Sequence, residues 1–169
     1  VPFADIFRCE PPAPSYAWEG LLPLGFVTLF AAHGGTGKSL IALMLAVSVA
    51  LGLPLFGIPT RNGRAAFFSG EDGAALLRYR LRMVCRCMNV NVSDLDGRLS
   101  ILDATNDDPT LFAEVTTAGR KEGTPTGTYD GLRDFLAGIE DLRLLIVDNA
   151  SDAYDASEID RARVRGFMR

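Results

Sequence analysis

The sequence predicts an α/β fold with a mainly parallel central sheet and helices on both faces. Three observations carry that expectation. A β-branched and aromatic run, Phe26-Val27-Thr28-Leu29-Phe30, leads into the glycine-rich stretch Ala32-His33-Gly34-Gly35-Thr36-Gly37-Lys38-Ser39, and an apolar helix-like run follows from Leu40. Strand-like and helix-like segments then alternate along the 169 residues, a length that suits one domain. Arg143-Leu144-Leu145-Ile146-Val147-Asp148-Asn149 is an unbroken aliphatic run that meets a carboxylate, as expected of a central parallel strand covered on both faces.

The glycine stretch matches the phosphate-binding pattern G-x-x-x-x-G-K-[ST], with alanine at the first position. Gly34, Gly35 and Gly37 let the backbone turn tightly and aim N–H groups at an anion. The helix opening near Gly37 points its positive end at the same place. In this arrangement residues Gly34, Gly35, Thr36, Gly37, Lys38, Ser39 and Leu40 take a nucleotide. Lys38 reaches the outer phosphates, and the Ser39 hydroxyl ligates Mg²⁺. Lys38 and Lys121 are the only lysines in an arginine-using chain, and a compact ammonium suits phosphate.

Taken in order, residues 1–24 are proline-rich and read as an extended lead-in to a domain over 25–169. Trp18 reads as a packing residue rather than a base-stacking platform. The helix after the loop is apolar all round, as one buried between layers would be, and ends near Leu51-Gly52. Residues 64–69 form a second strand that runs into Gly70-Glu71-Asp72-Gly73, which places two acids on the ligand-binding edge of the sheet. A helix follows over 74–88, with Leu77, Leu81 and Val84 inward and Arg78, Arg82 and Arg86 on one basic face. That face is either a solvated surface or a contact with nucleotide or a neighbouring subunit. Tyr79 and Arg80 are candidates to cover an adenine ring.

Residues 91–96 read as a turn and 98–103 as a short strand. Residues 104–128 form an irregular excursion with a short extra strand at 112–115. A helix over 129–140 turns Leu132, Phe135, Leu136 and Ile139 inward. After the aliphatic strand, Ser157-x-x-Asp160 caps a last helix carrying Arg161, Arg163, Arg165 and Arg169.

Composition narrows the function classes. The formal charge of −4 is mildly acidic, so the chain is no polycation, and any nucleic-acid contact must come from local patches or an assembled ring. Cys85-x-Cys87 has the wrong spacing for a zinc site and, with Cys9, reads as free thiols in a reducing cytoplasm. The apolar helix after the loop is bounded by Gly52 and Pro54 and is too short to span a bilayer; no signal peptide is visible. The sequence opens on Val1 and stops at Arg169 inside a helix-like segment, so further strands are expected outside it.

The chemistry follows from the loop. Asp148, at the end of the aliphatic strand, has the Walker B position and would hold the Mg²⁺ shell beside Ser39. Hydrolysis also needs a group that orients and polarises water, and Glu71 is the candidate, against the alternative that it caps the next helix. Asp72 is the better cap of the two. His33, inside the loop, is not assigned as a base, because its backbone is committed to phosphate.

These pieces together resemble the RecA-like P-loop ATPases, and within them the hexameric replicative helicases of the RepA type, an AAA-like group. The resemblance rests on Trp18 to Gly25 leading into Val27-Thr28-Leu29, on Gly34 to Ser39, on Ser69-Gly70-Glu71-Asp72, and on Leu144 to Asp148. It implies a RecA-like P-loop NTPase core. Glu71 would be the general base, and Lys38, Thr36, Ser39 and Asp148 would bind ATP and Mg²⁺. The partners implied are further copies of the chain, as a hexamer, and single-stranded DNA. The family's next strand, sensor, DNA-facing loop and arginine finger would lie beyond Arg169, so weak or absent hydrolysis is expected of these residues alone. Asn149 departs from the pattern, since another acid or a small residue is common there. The alternative from another class is a RecA-like nucleotide switch or recombination ATPase that does not translocate.

Overall fold

The computed structural model describes residues 2–8, 13–117, 120–156 and 161–168. The chain begins with helix α1 (Phe3–Arg8) and a small hairpin of β1 (Tyr16–Trp18) and β2 (Leu22–Pro23). Helix α2 (Lys38–Leu51), β3 (Arg64–Ser69), α3 (Ala74–Met88), a 3₁₀ turn at Val92–Leu95 and β4 (Leu99–Asp103) follow. Then come β5 (Phe112–Thr117), β6 (Arg120–Pro125), α4 (Gly127–Ala137), β7 (Leu142–Asp148), α5 (Ala150–Ala153), β8 (Tyr154–Asp155) and α6 (Arg161–Phe167).

Strand β3 is the centre of a parallel sheet in the order β4-β3-β7. Its side chains alternate between two apolar layers, because successive residues of a strand face opposite ways. Phe67, Ile101 and Ile146 lie side by side and pack against Leu43 and Val47 of α2 and Leu77 and Val84 of α3. Phe68, Leu102 and Val147 face the other way, toward Leu132 of α4 and Ala153 of α5. Helices therefore cover both faces, and Phe67 is fully buried between them.

Helix boundaries follow local signals. Gly52 ends α2 in the left-handed conformation, with its N–H turned back to the Ser48 and Val49 carbonyls. Thr126 caps α4 by accepting from the Tyr129 N–H. Trp18 packs as expected: it bridges Thr60, and its ring lies 6.5 Å from that of Phe56. The Thr60 hydroxyl ties this connector to the end of α2 through the Ser48 and Leu53 carbonyls. Among the described residues, no helix is long and apolar enough to cross a membrane.

Several expectations are corrected. Residues 26–30 are not a strand: no ladder forms there, and Phe26 is 73% exposed. A strand needs a neighbour to hydrogen-bond, and among the described residues none pairs with this run. For the same reason β7 is an edge strand, paired among the described residues only with β3, and its Leu145 is 39% exposed. In α2 only Leu43 and residues 46–50 are buried.

Residues 1–24 are not extended throughout, since they hold α1 and the β1–β2 hairpin. The 104–128 excursion is more ordered than expected. Its strand runs to Thr117, pairs with β6 and β8 in a second sheet, and stacks Phe112 on Tyr154 at 5.8 Å. Helix α4 ends at Ala137, before Ile139, and Phe135 is 44% exposed rather than inward. The Ser157–Asp160 cap, Cys9 and Arg169 lie outside the described residues.

Phe67 joins the sheet to α2 and α3, so Phe67→Ala should cost about 3–5 kcal/mol of unfolding free energy in denaturant titrations. A loss under about 1 kcal/mol would contradict this core assignment.

Candidate nucleotide site

The loop of residues 32–37 is exposed, and its shape depends on backbone freedom. Gly35 and Gly37 have φ of +75° and +87°, which side chains disfavour, although space around both is open. Lys38 folds back over the loop: its ammonium donates to the carbonyls of Ala32 at 2.8 Å and His33 at 2.9 Å. The Thr36 hydroxyl also donates to the His33 carbonyl, at 2.8 Å. Phosphate oxygens are stronger partners for an ammonium than these neutral carbonyls, so an incoming polyphosphate can displace them. Ser39 and Leu40 follow in the first turn of α2.

The second half of the site is built by strand register. Ser69, Asp103 and Asp148 stand in one row at the carboxyl ends of β3, β4 and β7. Backbone bonds carry the alignment past the strands, from Gly70 N–H to the Asp148 carbonyl (2.8 Å) and from Ala104 N–H to the Ser69 carbonyl (2.9 Å). Gly70 has to be glycine: a Cβ there would come within 2.9 Å of Pro109 and 3.2 Å of Asp152.

Ser69, Asp72 and Asp103 on this edge each have their own partners. The Ser69 hydroxyl donates to the Asp72 carbonyl and accepts from the Asp72 N–H, both at 3.0 Å, which closes a tight turn around Gly70 and Glu71. Asp72 is not a helix cap; its carboxylate is ion-paired to Arg80. Glu71 does not cap α3 either. The N-cap position is Gly73, and the carboxylate that accepts from the first helical N–H belongs to Asp103, 2.7 Å from Ala74 N. Asp103 also accepts from the Thr105 hydroxyl at 2.6 Å and the Thr105 N–H at 2.9 Å. The Thr105 hydroxyl above all, then the Thr105 and Ala74 N–H groups, hold the Asp103 carboxyl below the ordinary aspartate range.

Asp148 is 8% exposed, and its Oδ2 is buried with no hydrogen-bond partner among the described residues. A buried carboxylate oxygen left free is costly unless a cation or water satisfies it. The free Asp148 oxygen is therefore of a kind that a divalent cation would satisfy. No group of three or more metal-binding side chains occurs among the described residues.

Lys38, Asp148 and Asn149 line one groove of about 660 Å³, together with Phe26, Leu29 and Ile41. Glu71 joins them because its Oε2 accepts from Asn149 Nδ2 at 2.9 Å. Lys38 and Asp148 thus line the same groove, and Glu71 is bonded to Asn149, which lines it too. Arg80 stands apart, its guanidinium engaged by Asp72, while Tyr79 is exposed. Sequence reading missed Asp103 and Asn149. Asn149 carried a usable signal, since an Asn three residues before Asp152 is an N-cap pattern, and its Oδ1 does accept from Asp152 N–H at 2.9 Å. The Asp148–Asn149 peptide bond is cis.

A family model described as an AAA domain matches residues 1–169. The chain belongs to the AAA domain family. No curated protein matches it. For this AAA domain the match supports the coarse reading of the glycine loop: a P-loop ATPase-like module for nucleotide binding and hydrolysis, typically with Mg²⁺. The parallel β4-β3-β7 sheet between helix layers is compatible with that assignment.

Asp103 makes the AAA domain sensitive to acid. Its carboxyl is depressed in the folded chain, so its contribution is fully present above the unfolded aspartate value, near 4, and is lost as pH falls through the folded value. Asp103→Asn should give a shallower fall in unfolding midpoint below about pH 4 than the native chain shows. Identical acid limbs would contradict this role.

Proposed function

We propose that this AAA domain is the ATP-hydrolysing unit of a ring-forming motor on single-stranded DNA, of the replicative helicase type. The observation that carries the hydrolytic part is the meeting of Lys38, Asp148 and Asn149 in one groove, with Glu71 bonded to Asn149. Lys38 leaves the loop carbonyls for the outer phosphates. Ser39 and Asp148 would hold Mg²⁺, which would supply charge neutralisation at the phosphoryl group. Glu71 orients the attacking water and takes its proton, and Gly34, Gly35 and Gly37 shape the backbone N–H cradle.

The motor part is supported by the resemblance of Ser69-Gly70-Glu71-Asp72 and the loop to RecA-like helicases. It is also supported by the exposed arginines Arg78, Arg82 and Arg86 of α3, a basic face on an otherwise acidic chain. Such a face suits a neighbouring subunit or a phosphate backbone.

Lys38→Ala should weaken ATP binding by about 10- to 100-fold in calorimetry, the size of a lost charge-assisted contact. Unchanged affinity would remove the loop assignment. Glu71→Gln should keep ATP affinity and lower turnover by about 10²- to 10⁴-fold; native turnover would remove Glu71 as base. Single-stranded DNA should raise ATP turnover, with a steep salt dependence. Turnover indifferent to DNA in the full-length protein would remove the motor and leave a nucleotide switch.

A further inference from the structure

Asn149 was the one residue of the Walker B segment without a role. Its side-chain amide has two different neighbours, and they fix which way it points. Oδ1 accepts from the Asp152 N–H at 2.9 Å, so it must be the oxygen. Nδ2 is then the atom that faces Glu71 Oε2, also at 2.9 Å, and it donates to that carboxylate. The amide therefore links the start of α5 to Glu71 on the turn after β3.

Glu71 needs such a link. It is exposed and sits in a turn whose other closing bonds are made by its neighbours Ser69 and Asp72. Among the described residues, Asn149 supplies the one hydrogen bond of the Glu71 side chain, and it does so from the residue directly after Asp148. A bond of this kind ties the Glu71 carboxylate to the end of β7.

We propose that Asn149 is a positioning residue that holds Glu71 in place for its work as general base. This rests on the hydrolytic reading of the site given above. Other side chains in the arrangement show why asparagine is suited. Aspartate at 149 keeps an oxygen for the Asp152 N–H but sets a second carboxylate against Glu71. Serine keeps a capping hydroxyl but is too short to reach Glu71. The two substitutions therefore separate the cap from the clamp.

The test compares Asn149→Ser, Asn149→Asp and Glu71→Gln. Asn149→Ser should lower kcat for ATP by about 10- to 100-fold, as loss of orientation of a reacting group does, and leave KM within about twofold. Its unfolding midpoint should stay near the native value, because the cap is retained. Asn149→Asp should lower kcat further. A native kcat in both variants, or a raised KM with kcat unchanged, would overturn the proposal. If Glu71→Gln is inactive while Asn149→Ser turns over normally, only Asn149's role fails; if Glu71→Gln is fully active, the hydrolytic reading fails with it. A second readout does not need turnover. The Asn149 side-chain amide signals in ¹⁵N NMR, assigned by their loss in Asn149→Ser, should move in Glu71→Ala. Signals that stay in place would show that the bond is absent and would also overturn the proposal.

Discussion

Everything at this site depends on the parallel register of β3 between β4 and β7. That register sets Ser69, Asp103 and Asp148 in one row and makes the backbone continue the pairing for one more residue on each side. The two apolar layers hold the register. A slip of one residue would move Phe67 from the α2–α3 layer to the α4 layer and send Phe68 the other way. The chemistry of the edge is therefore secured by burial well away from it.

Within the row, the three side chains meet different fates. Ser69 is consumed by the turn that carries Glu71 and Asp72, and Asp103 by the start of α3 and by Thr105. Arg80 neutralises Asp72. What remains is one Asp148 oxygen and the Glu71 carboxylate clamped by Asn149. In the proposed function that oxygen would bind the cation and Glu71 would orient water, beside a groove that Asp148 and Lys38 both line. Phosphoryl transfer asks for those groups in that proximity, because little covalent work falls to the protein and most of its contribution is positioning and charge.

Much of this was legible in the sequence where the cause is local. The loop has its own signature, and α2 ends at a glycine in the left-handed conformation. Helix α3 spans 74–88 as its Leu77-Leu81-Val84 spacing requires. Strands β3, β4 and β7 fall within a residue of expectation. What was not legible depends on partners distant in sequence. Residues 26–30 have strand composition, yet composition cannot provide a neighbour to bond with. The α3 cap comes from Asp103, 29 residues from Ala74, and the Glu71 clamp spans 78 residues. Arg80, a candidate to cover an adenine ring, is instead engaged by Asp72, eight residues before it.

The central claim is that the glycine loop and the carboxyl edge of the sheet form a single nucleotide site. Its most direct measurement is a crystal structure with a non-hydrolysable ATP analogue and Mg²⁺. The account predicts the polyphosphate along residues 34–38, with Lys38 moved from the Ala32 and His33 carbonyls onto it. Mg²⁺ would sit between Ser39 and Asp148, and Glu71 would be turned toward the terminal phosphate. An analogue bound away from the loop, or a metal remote from Asp148, would contradict it.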